Sequence, residues 1–167
     1  MGLVARLPYH RFALLQPENL DETEKSAVVE LAREVLSQRH APGTSLAGCQ
    51  ETKNYLQAQL IGYKNEVFGV VFLDNRLCIL SFEILFFGTI NQAAVYPRVV
   101  VQRALENNAA AVIFAHNHPS GCAHPSRDDI ALTLRLKEIL EIIDVRVVDH
   151  IVIATTGTAS FAEQGLL

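Results

Sequence analysis

The sequence predicts an α/β fold in which a mixed β-sheet is flanked by helices. Apolar runs typical of strands occur at residues 67–73, 77–85, 109–115 and 145–154. Stretches with helical periodicity lie before, between and after these runs. Alternation of this kind indicates helices packed on the faces of one sheet.

The N-terminal part of the chain shows two patterns. Residues 1–15 have little periodicity and are expected to form an arm. An acidic start at residues 21–24 then opens a helix to about residue 40, in keeping with the helix dipole. Its expected buried face comprises Val28, Leu31, Ala32, Val35 and Leu36. Ala-Pro-Gly at 41–43 ends this helix, so we divide the chain into an arm and helix (1–45) and a domain (46–167).

The domain itself is predicted as follows. A second helix covers residues 51–60 and leads into a hairpin whose turn lies at 74–76. A helix over 97–107, with proline near its first position, crosses to the strand at 109–115. The helix expected over 127–143 has an apolar stripe that should face the core, comprising Ile130, Leu134, Ile139 and Leu140.

Composition excludes several classes of protein. The chain has 167 residues, of which 50% are hydrophobic and 19% charged, which is enough apolar material for one domain core. Its net charge of -4 disfavours nucleic acid as a partner. The irregularly spaced Cys49, Cys78 and Cys122 suit a reduced cytosol better than a disulfide framework. Because there is also no signal-peptide pattern and no apolar run of about 18 residues, we expect a cytoplasmic protein without a membrane span.

The most informative stretch is His116-Asn117-His118-Pro119, followed by Ser126 and Asp129. Residues two apart in an extended chain point to the same side, so both histidines can face one point. Asp129 lies eleven residues after His118, in the first turn of a predicted helix. Two imidazoles and a carboxylate can hold one zinc ion and leave a fourth position for water. Ligand type favours zinc over magnesium and leaves iron, cobalt and manganese open.

Each residue of this stretch also has a structural interpretation. Ser126 and Asp129 fit the pattern of a helix capping box, which would explain both without a metal. Cys122 and His124 lie between the candidate ligands and are expected to be loop residues. His150 is expected to anchor a strand near the site rather than to bind metal.

The stretch resembles the JAMM signature of the JAB/MPN metalloprotease superfamily, which is His-x-His-Pro, six residues, Ser, two residues and Asp. The longer runs at 115–121, 125–126 and 149–153 resemble the RadC-type branch, and the likeness covers about residues 50–165. The chain departs from this branch at Val99 and Cys122, where acidic residues are common. Residues 1–50 lack the Gly-rich hairpins of the additional N-terminal module in longer RadC-type proteins, so a short form is expected.

The resemblance implies a JAB/MPN fold, which is similar to that of cytidine deaminases, and a role for each site residue. It implies one zinc ion per chain held by His116, His118 and Asp129. Glu66, in a phrase similar to the family's distant Glu motif, would be the general base. Glu83 is the competing candidate because it also interrupts an apolar strand. Ser126 would hydrogen-bond the oxyanion during cleavage of a peptide or isopeptide bond.

Two other functions remain alternatives. RadC-type proteins are often described as DNA repair proteins, so a repair or recombination factor is one. A non-catalytic, metal-stabilised binding module is the other. A zinc deaminase is excluded because its His-x-Glu and Pro-Cys-x-x-Cys elements are absent, and the HEXXH protease motif is absent too. The resemblance implies a peptide or protein substrate as the partner.

Overall fold

Five strands form one mixed sheet in the order β2-β1-β3-β4-β5, and helices cover both of its faces. The structure is a computed structural model that describes residues 16–39, 43, 45, 46, 48–60, 62–88 and 94–167. The strands are β1 (Val67–Leu73), β2 (Ile79–Phe87), β3 (Ala111–His118), β4 (Arg146–Ala154) and β5 (Gly157–Ser160). The α-helices are α1 (Glu22–Arg39), α2 (Cys49–Leu60), α3 (Pro97–Glu106) and α4 (Arg127–Glu141), and a short 3-10 helix covers Pro17–Asn19. This architecture confirms the predicted fold class.

Among the strands that the structure describes, only the β3–β4 pair is parallel, and the other three pairs are antiparallel. Each face of the sheet buries its own apolar cluster. Phe68, Val70 and Phe114 share one face with the buried residues of α3 and α4, which we call the α4 face. Val71 and Ile113 share the other with the buried residues of α2, which we call the α2 face. The alternation along β1 and β3 therefore decides which side chains meet α4.

Several boundaries differ from the predicted ones. The strand expected at 109–115 is β3, which begins later and continues through both histidines until Pro119 ends the ladder. Strand β5 was not expected, because Gly-Thr-Ala-Ser offers no apolar run. The expected arm at residues 1–15 lies outside the described residues, as does most of the break at 41–43.

Helix α1 does not bury the face that its periodicity predicts. Val28, Leu31 and Val35 are 45%, 49% and 44% exposed, although a cavity between α1 and α2 is lined partly by Val28 and Ala32. The apolar pattern is present, but α2 covers only part of it. The side chain of Leu36 lies outside the described part of the chain. None of the described helices has the length and apolar character needed to cross a membrane.

The face of α4 that meets the core also differs from the predicted stripe. Leu134 is 42% exposed, whereas Thr133, Leu136 and Leu140 are buried. The prediction for Leu134 was therefore wrong, and that for Leu140 was right. The true face follows spacings of three and four from Thr133, and a polar residue occupies its first position. A pattern of apolar residues alone misses that position.

Shortening the buried leucine of α4 should destabilise the fold far more than shortening its exposed neighbour. Leu136→Ala removes a side chain that is 1% exposed and should lower the free energy of unfolding by about 2–5 kcal/mol. Leu134→Ala is the matched control on the same helix and should change it by about 0.5 kcal/mol or less. Urea denaturation of both variants measures this difference, and equal losses would contradict the assignment of the buried face.

Candidate metal centre

The two histidines lie in the last three residues of β3, separated by Asn117. His116 lies across from Phe68 in β1 and His118 lies two residues further on, so both point to the α4 face. Asn117 between them points to the α2 face. His116 is 2% exposed, and the side chain of His118 is 15% exposed. One ring is therefore enclosed, while the other borders solvent.

Asp129 reaches the histidines from the first turn of α4. Ser126 caps this helix: its Oγ accepts a hydrogen bond from the Asp129 amide at 3.1 Å. In return, the Ser126 amide and hydroxyl donate to Oδ2 of Asp129 at 2.7 and 2.6 Å. The capping box expected from the sequence is thus present. It orients the Asp129 carboxylate so that Oδ1 is free to face His116.

The three side chains converge on one point. Nε2 of His116 lies 2.9 Å from Nε2 of His118. Oδ1 of Asp129 is 3.4 Å from the first of these nitrogens, and Oδ2 is 3.5 Å from the second. One donor atom from each residue lies within 4.8 Å of the others. The fold therefore contains a possible His-His-Asp metal site.

A buried chain of hydrogen bonds determines which nitrogen of His116 carries its proton. The Thr133 hydroxyl donates its one hydrogen to the Asp129 carbonyl at 2.6 Å, so it must accept from Nδ1 of His150, also at 2.6 Å. Burial lowers the pKa of His150 well below its ordinary value, so its ring is neutral and Nε2 is an acceptor. Nδ1 of His116, at 2.8 Å, must then be the donor. In the neutral form of His116 this leaves a lone pair on Nε2 at the point of convergence.

His118 has its tautomer set by the loop that follows β3. Its Nδ1 lies 2.7 Å from the carbonyl of Cys122, which can only accept, so Nδ1 carries the hydrogen. The loop is held in turn by Thr156, whose hydroxyl donates to the Gly121 carbonyl at 2.6 Å. Gly121 has φ +93°, a conformation that favours glycine. When the ring of His118 is neutral, its Nε2 therefore also presents a lone pair.

This donor set fits a metal ion. Two imidazole lone pairs at 2.9 Å repel each other unless a cation or a proton lies between them, and a carboxylate faces both. Imidazole and carboxylate together are ligands that zinc accepts. Each ring also has a hydrogen-bonded partner on its other nitrogen, as metal-binding histidines commonly do. The exposed Cys122 contributes only its backbone carbonyl to these contacts.

The charges of the three groups are coupled. Burial alone raises the pKa of Asp129, but the contacts with His116 and His118 outweigh it and hold that pKa well below its usual range. The Asp129 carboxylate raises the pKa of His118 against the opposing effect of burial. The Cys122 carbonyl and the Glu66 carboxylate raise it further. Asp129 therefore supplies a fixed negative charge to this point.

Glu66 lies at the entrance to β1, on the same side as the histidines. The antiparallel register pairs Phe68 with His116. Two residues before Phe68 is Glu66 and two residues after His116 is His118, so Glu66 lies opposite His118. The Gly88 amide donates to the Glu66 carbonyl at 2.8 Å, which continues the ladder with β2. The side chain is half-buried, and its charge acts on His118. A carboxylate therefore lies on the same face of the sheet as His118, near enough to influence its pKa.

Glu83, the competing candidate for general base, is engaged elsewhere. It lies on β2 opposite Val70, and both of its carboxylate oxygens accept hydrogen bonds from Arg103 of α3 at 2.7 Å. Asn107 donates to it at 2.9 Å. The side chain is 22% exposed and forms a structural ion pair with the end of α3.

Asn117 has a role that its sequence position did not reveal. Its Oδ1 accepts from the Val67 amide at 2.7 Å, and its Nδ2 donates to the carbonyls of Asn65 and Tyr63 at 3.1 and 3.3 Å. The side chain is 6% exposed. Asn117 therefore holds the segment 63–67 that carries Glu66. His-Asn-His thus places two candidate ligands on one face and a clamp on the other.

A family model described as "RadC-like JAB domain" matches residues 46–166. The chain belongs to the RadC-like JAB family. This match confirms the resemblance inferred from the sequence. The JAB superfamily to which these domains belong includes metalloproteases, and the His-His-Asp group lies where its signature residues fall in this chain.

Relatives of this RadC-like JAB chain occur in several bacteria. A UPF0758 protein of Methylibium petroleiphilum is 56% identical over 144 residues, which is 86% of this chain and 65% of the relative. A UPF0758 protein of Vibrio cholerae is 45% identical over 164 residues, which is 98% of this chain and 100% of the relative. One from Marinobacter nauticus is 52% identical over 99% of this chain and 75% of the relative. The chain thus spans about two thirds of the Methylibium relative and the whole of the Vibrio relative.

Replacing Asn117 should loosen the segment that carries Glu66. Asn117→Ala leaves the buried Val67 amide without its acceptor, which should lower the free energy of unfolding by about 1–3 kcal/mol. Amide hydrogen exchange should increase at Val67 while exchange in the middle of β3 stays slow. Asn54→Ala, at an exposed position of α2, is the control and should change neither quantity. Unchanged protection at Val67 in the Asn117 variant would contradict the clamp.

The ion pair of Glu83 should contribute to stability in a pH-dependent way. Arg103 lowers the pKa of Glu83 below its ordinary value, with further help from Asn107 and Ser81, although burial opposes the shift. A depressed carboxyl pKa stabilises the fold above the unfolded-state pKa, and this contribution is lost as the pH falls through the folded-state value. Glu83→Gln should therefore lower the free energy of unfolding by about 0.5–1 kcal/mol near neutral pH, since the pair is partly exposed.

The difference between Glu83→Gln and the parent protein should shrink as the pH falls below about 4.5, the ordinary value for glutamate. Urea denaturation at a series of pH values measures it. A difference that is constant with pH would show that the charge of Glu83 does not stabilise this end of the sheet.

Proposed function

We propose that this chain is a zinc-dependent hydrolase that cleaves a peptide or isopeptide bond. The convergence of two imidazole Nε2 atoms and one carboxylate, with Glu66 on the same face of the sheet, is the observation that supports it. His116, His118 and Asp129 would hold the ion. Bound there, zinc would supply a Lewis acid that acidifies water and polarises a carbonyl group.

Glu66 would act as the general base and then as the general acid. Its carboxylate takes a proton from the attacking water, whose oxygen forms a bond to the carbonyl carbon. It then gives that proton to the leaving nitrogen as the carbon–nitrogen bond breaks. The register opposite His118 supports this assignment, and the contacts of Glu83 with Arg103 argue against the alternative.

Ser126 would donate a hydrogen bond to the oxygen on which negative charge develops. In the structure its hydroxyl donates to Asp129 Oδ2 at 2.6 Å, so it must rotate toward the substrate to take this role. The Ser126 amide keeps its own bond to the same carboxylate oxygen during such a rotation. Donors of this kind are worth about 3 kcal/mol in the transition state.

Metal content and hydrolysis together test the proposal. Elemental analysis of the zinc-equilibrated protein should give about one zinc per chain, and His118→Ala should lose nearly all of it. His124→Ala is the matched control, because it removes an exposed histidine of the same loop that is outside the converging group. Quenched fluorescent peptide and isopeptide substrates then report hydrolysis.

Glu66→Gln should keep the zinc and lower kcat/KM by about 100-fold or more, whereas Glu83→Gln should keep most of the activity. The reverse result would assign the base to Glu83. Zinc without turnover would favour a metal-stabilised binding module. Cleavage of DNA, or a DNA affinity that falls steeply with salt, would favour a repair factor, which the net charge of -4 argues against.

A further inference from the structure

An apolar pocket of about 260 Å³ opens beside His118. It lies on the α2 face of the sheet, whereas the converging ligands lie on the α4 face. It lies between the end of α2 and the ends of β3 and β4. The apolar part of its wall is formed by Leu60, Tyr63, Pro119, Ile153 and Ala154. His118 borders both the pocket and the candidate metal site. His118, at the end of β3, therefore separates the pocket from the candidate metal site.

The chemistry of the wall favours an uncharged, apolar occupant. The described residues that line the pocket include no Asp, Glu, Lys or Arg. The amide of Asn117 is engaged in three hydrogen bonds, and Nδ1 of His118 is bonded to the Cys122 carbonyl. A charged group placed here would lose hydration and would meet only the uncharged polar side chains of Gln57 and Thr155 as further partners. An apolar group would be removed from water at no such cost.

Size and surroundings indicate what kind of apolar group would fit. A volume of about 260 Å³ is below the range of about 300–1,000 Å³ typical of sites for whole small molecules, and it suits one large side chain. Tyr63 continues the apolar wall to Phe87, with 6.3 Å between the ring centroids. Phe87 is 69% exposed and lies across from Val67, next to Glu66 in the ladder. The apolar surface thus extends from the pocket beside His118, through Tyr63, to Phe87 near Glu66.

We propose that this pocket binds a large apolar side chain of a peptide substrate, at a residue next to the bond that is cleaved. The proposal rests on the proposed hydrolase function, because it takes the bond to lie at the converging ligands. A peptide that crosses the end of the sheet at His118 can place its carbonyl on the α4 face and the neighbouring side chain on the α2 face. The pocket would then select substrates by that residue.

Binding can be measured without turnover. The probes are six Ala- and Ser-based hexapeptides with blocked ends, each carrying one Phe at a different position, and the parent hexapeptide without Phe. The protein is the full chain with Glu66→Gln, equilibrated with zinc. One Phe position should raise the affinity by about tenfold or more over the parent peptide. Asp at that position should give no increase.

Two variants in the same background test the location. Gln57 lines the pocket from α2, so Gln57→Phe should fill it and reduce the preference for the Phe peptide to less than about twofold. Gln50→Phe, at an exposed position of the same helix, is the control and should keep the preference. Tyr63→Ala opens the wall and should weaken binding of the Phe peptide toward that of the parent peptide.

Equal binding of all the peptides, or a full preference in Gln57→Phe, would overturn the pocket assignment. Turnover by the protein with Glu66 intact separates this outcome from a failure of the proposed function. A Phe preference that depends on Gln57, without any hydrolysis, supports the pocket and contradicts the hydrolase. Hydrolysis without a Phe preference supports the hydrolase and contradicts the pocket.

Discussion

The antiparallel register between β1 and β3 is the constraint on which the site depends. It pairs Phe68 with His116, and the alternation of the two strands then brings His118 and Glu66 to the α4 face. A shift of one residue would move both histidines toward α2 and bring Asn117 toward Asp129. Asn117 opposes such a shift, since its amide bonds to the Val67 amide and to the carbonyls of Tyr63 and Asn65. The residue between the two candidate ligands thus helps to keep them on the correct face.

The second requirement is that both imidazoles present a lone pair to the same point. For His116 this depends on groups from two other elements: His150 of β4 and Thr133 of α4. The neutral state of His150 follows from its burial among apolar neighbours, including the ring of Phe161, which stacks on it at 4.6 Å. Packing in the core therefore decides which nitrogen of His116 carries the proton. A more polar surrounding would let His150 ionise and would turn its acceptor nitrogen into a donor.

Sequence reasoning found what spacing along the chain can reveal. His116 and His118 were identified by their separation of two, and Ser126 and Asp129 by a local cap pattern. Contacts between residues that are far apart in the chain could not be predicted from spacing. His150 was expected near the site, but its partners His116 and Thr133 are 34 and 17 residues away in the chain. The apolar periodicity of α4 predicted that Leu134 lies in the core. This prediction failed because the buried face of α4 includes Thr133, a polar residue that an apolar pattern does not count.

Capping and metal binding looked like competing explanations of Ser126 and Asp129, yet the geometry makes them complementary. A capping box needs the carboxylate of Asp129 to turn back toward Ser126, and that turn points the other oxygen at His116. The Ser126 bonds also favour the ionised form of Asp129, which a metal ligand requires. The N-terminus of α4 adds the positive end of a helix dipole, which has the same effect. The helix cap therefore prepares the charge and the direction of the third ligand, so its presence is no argument against a metal at this point.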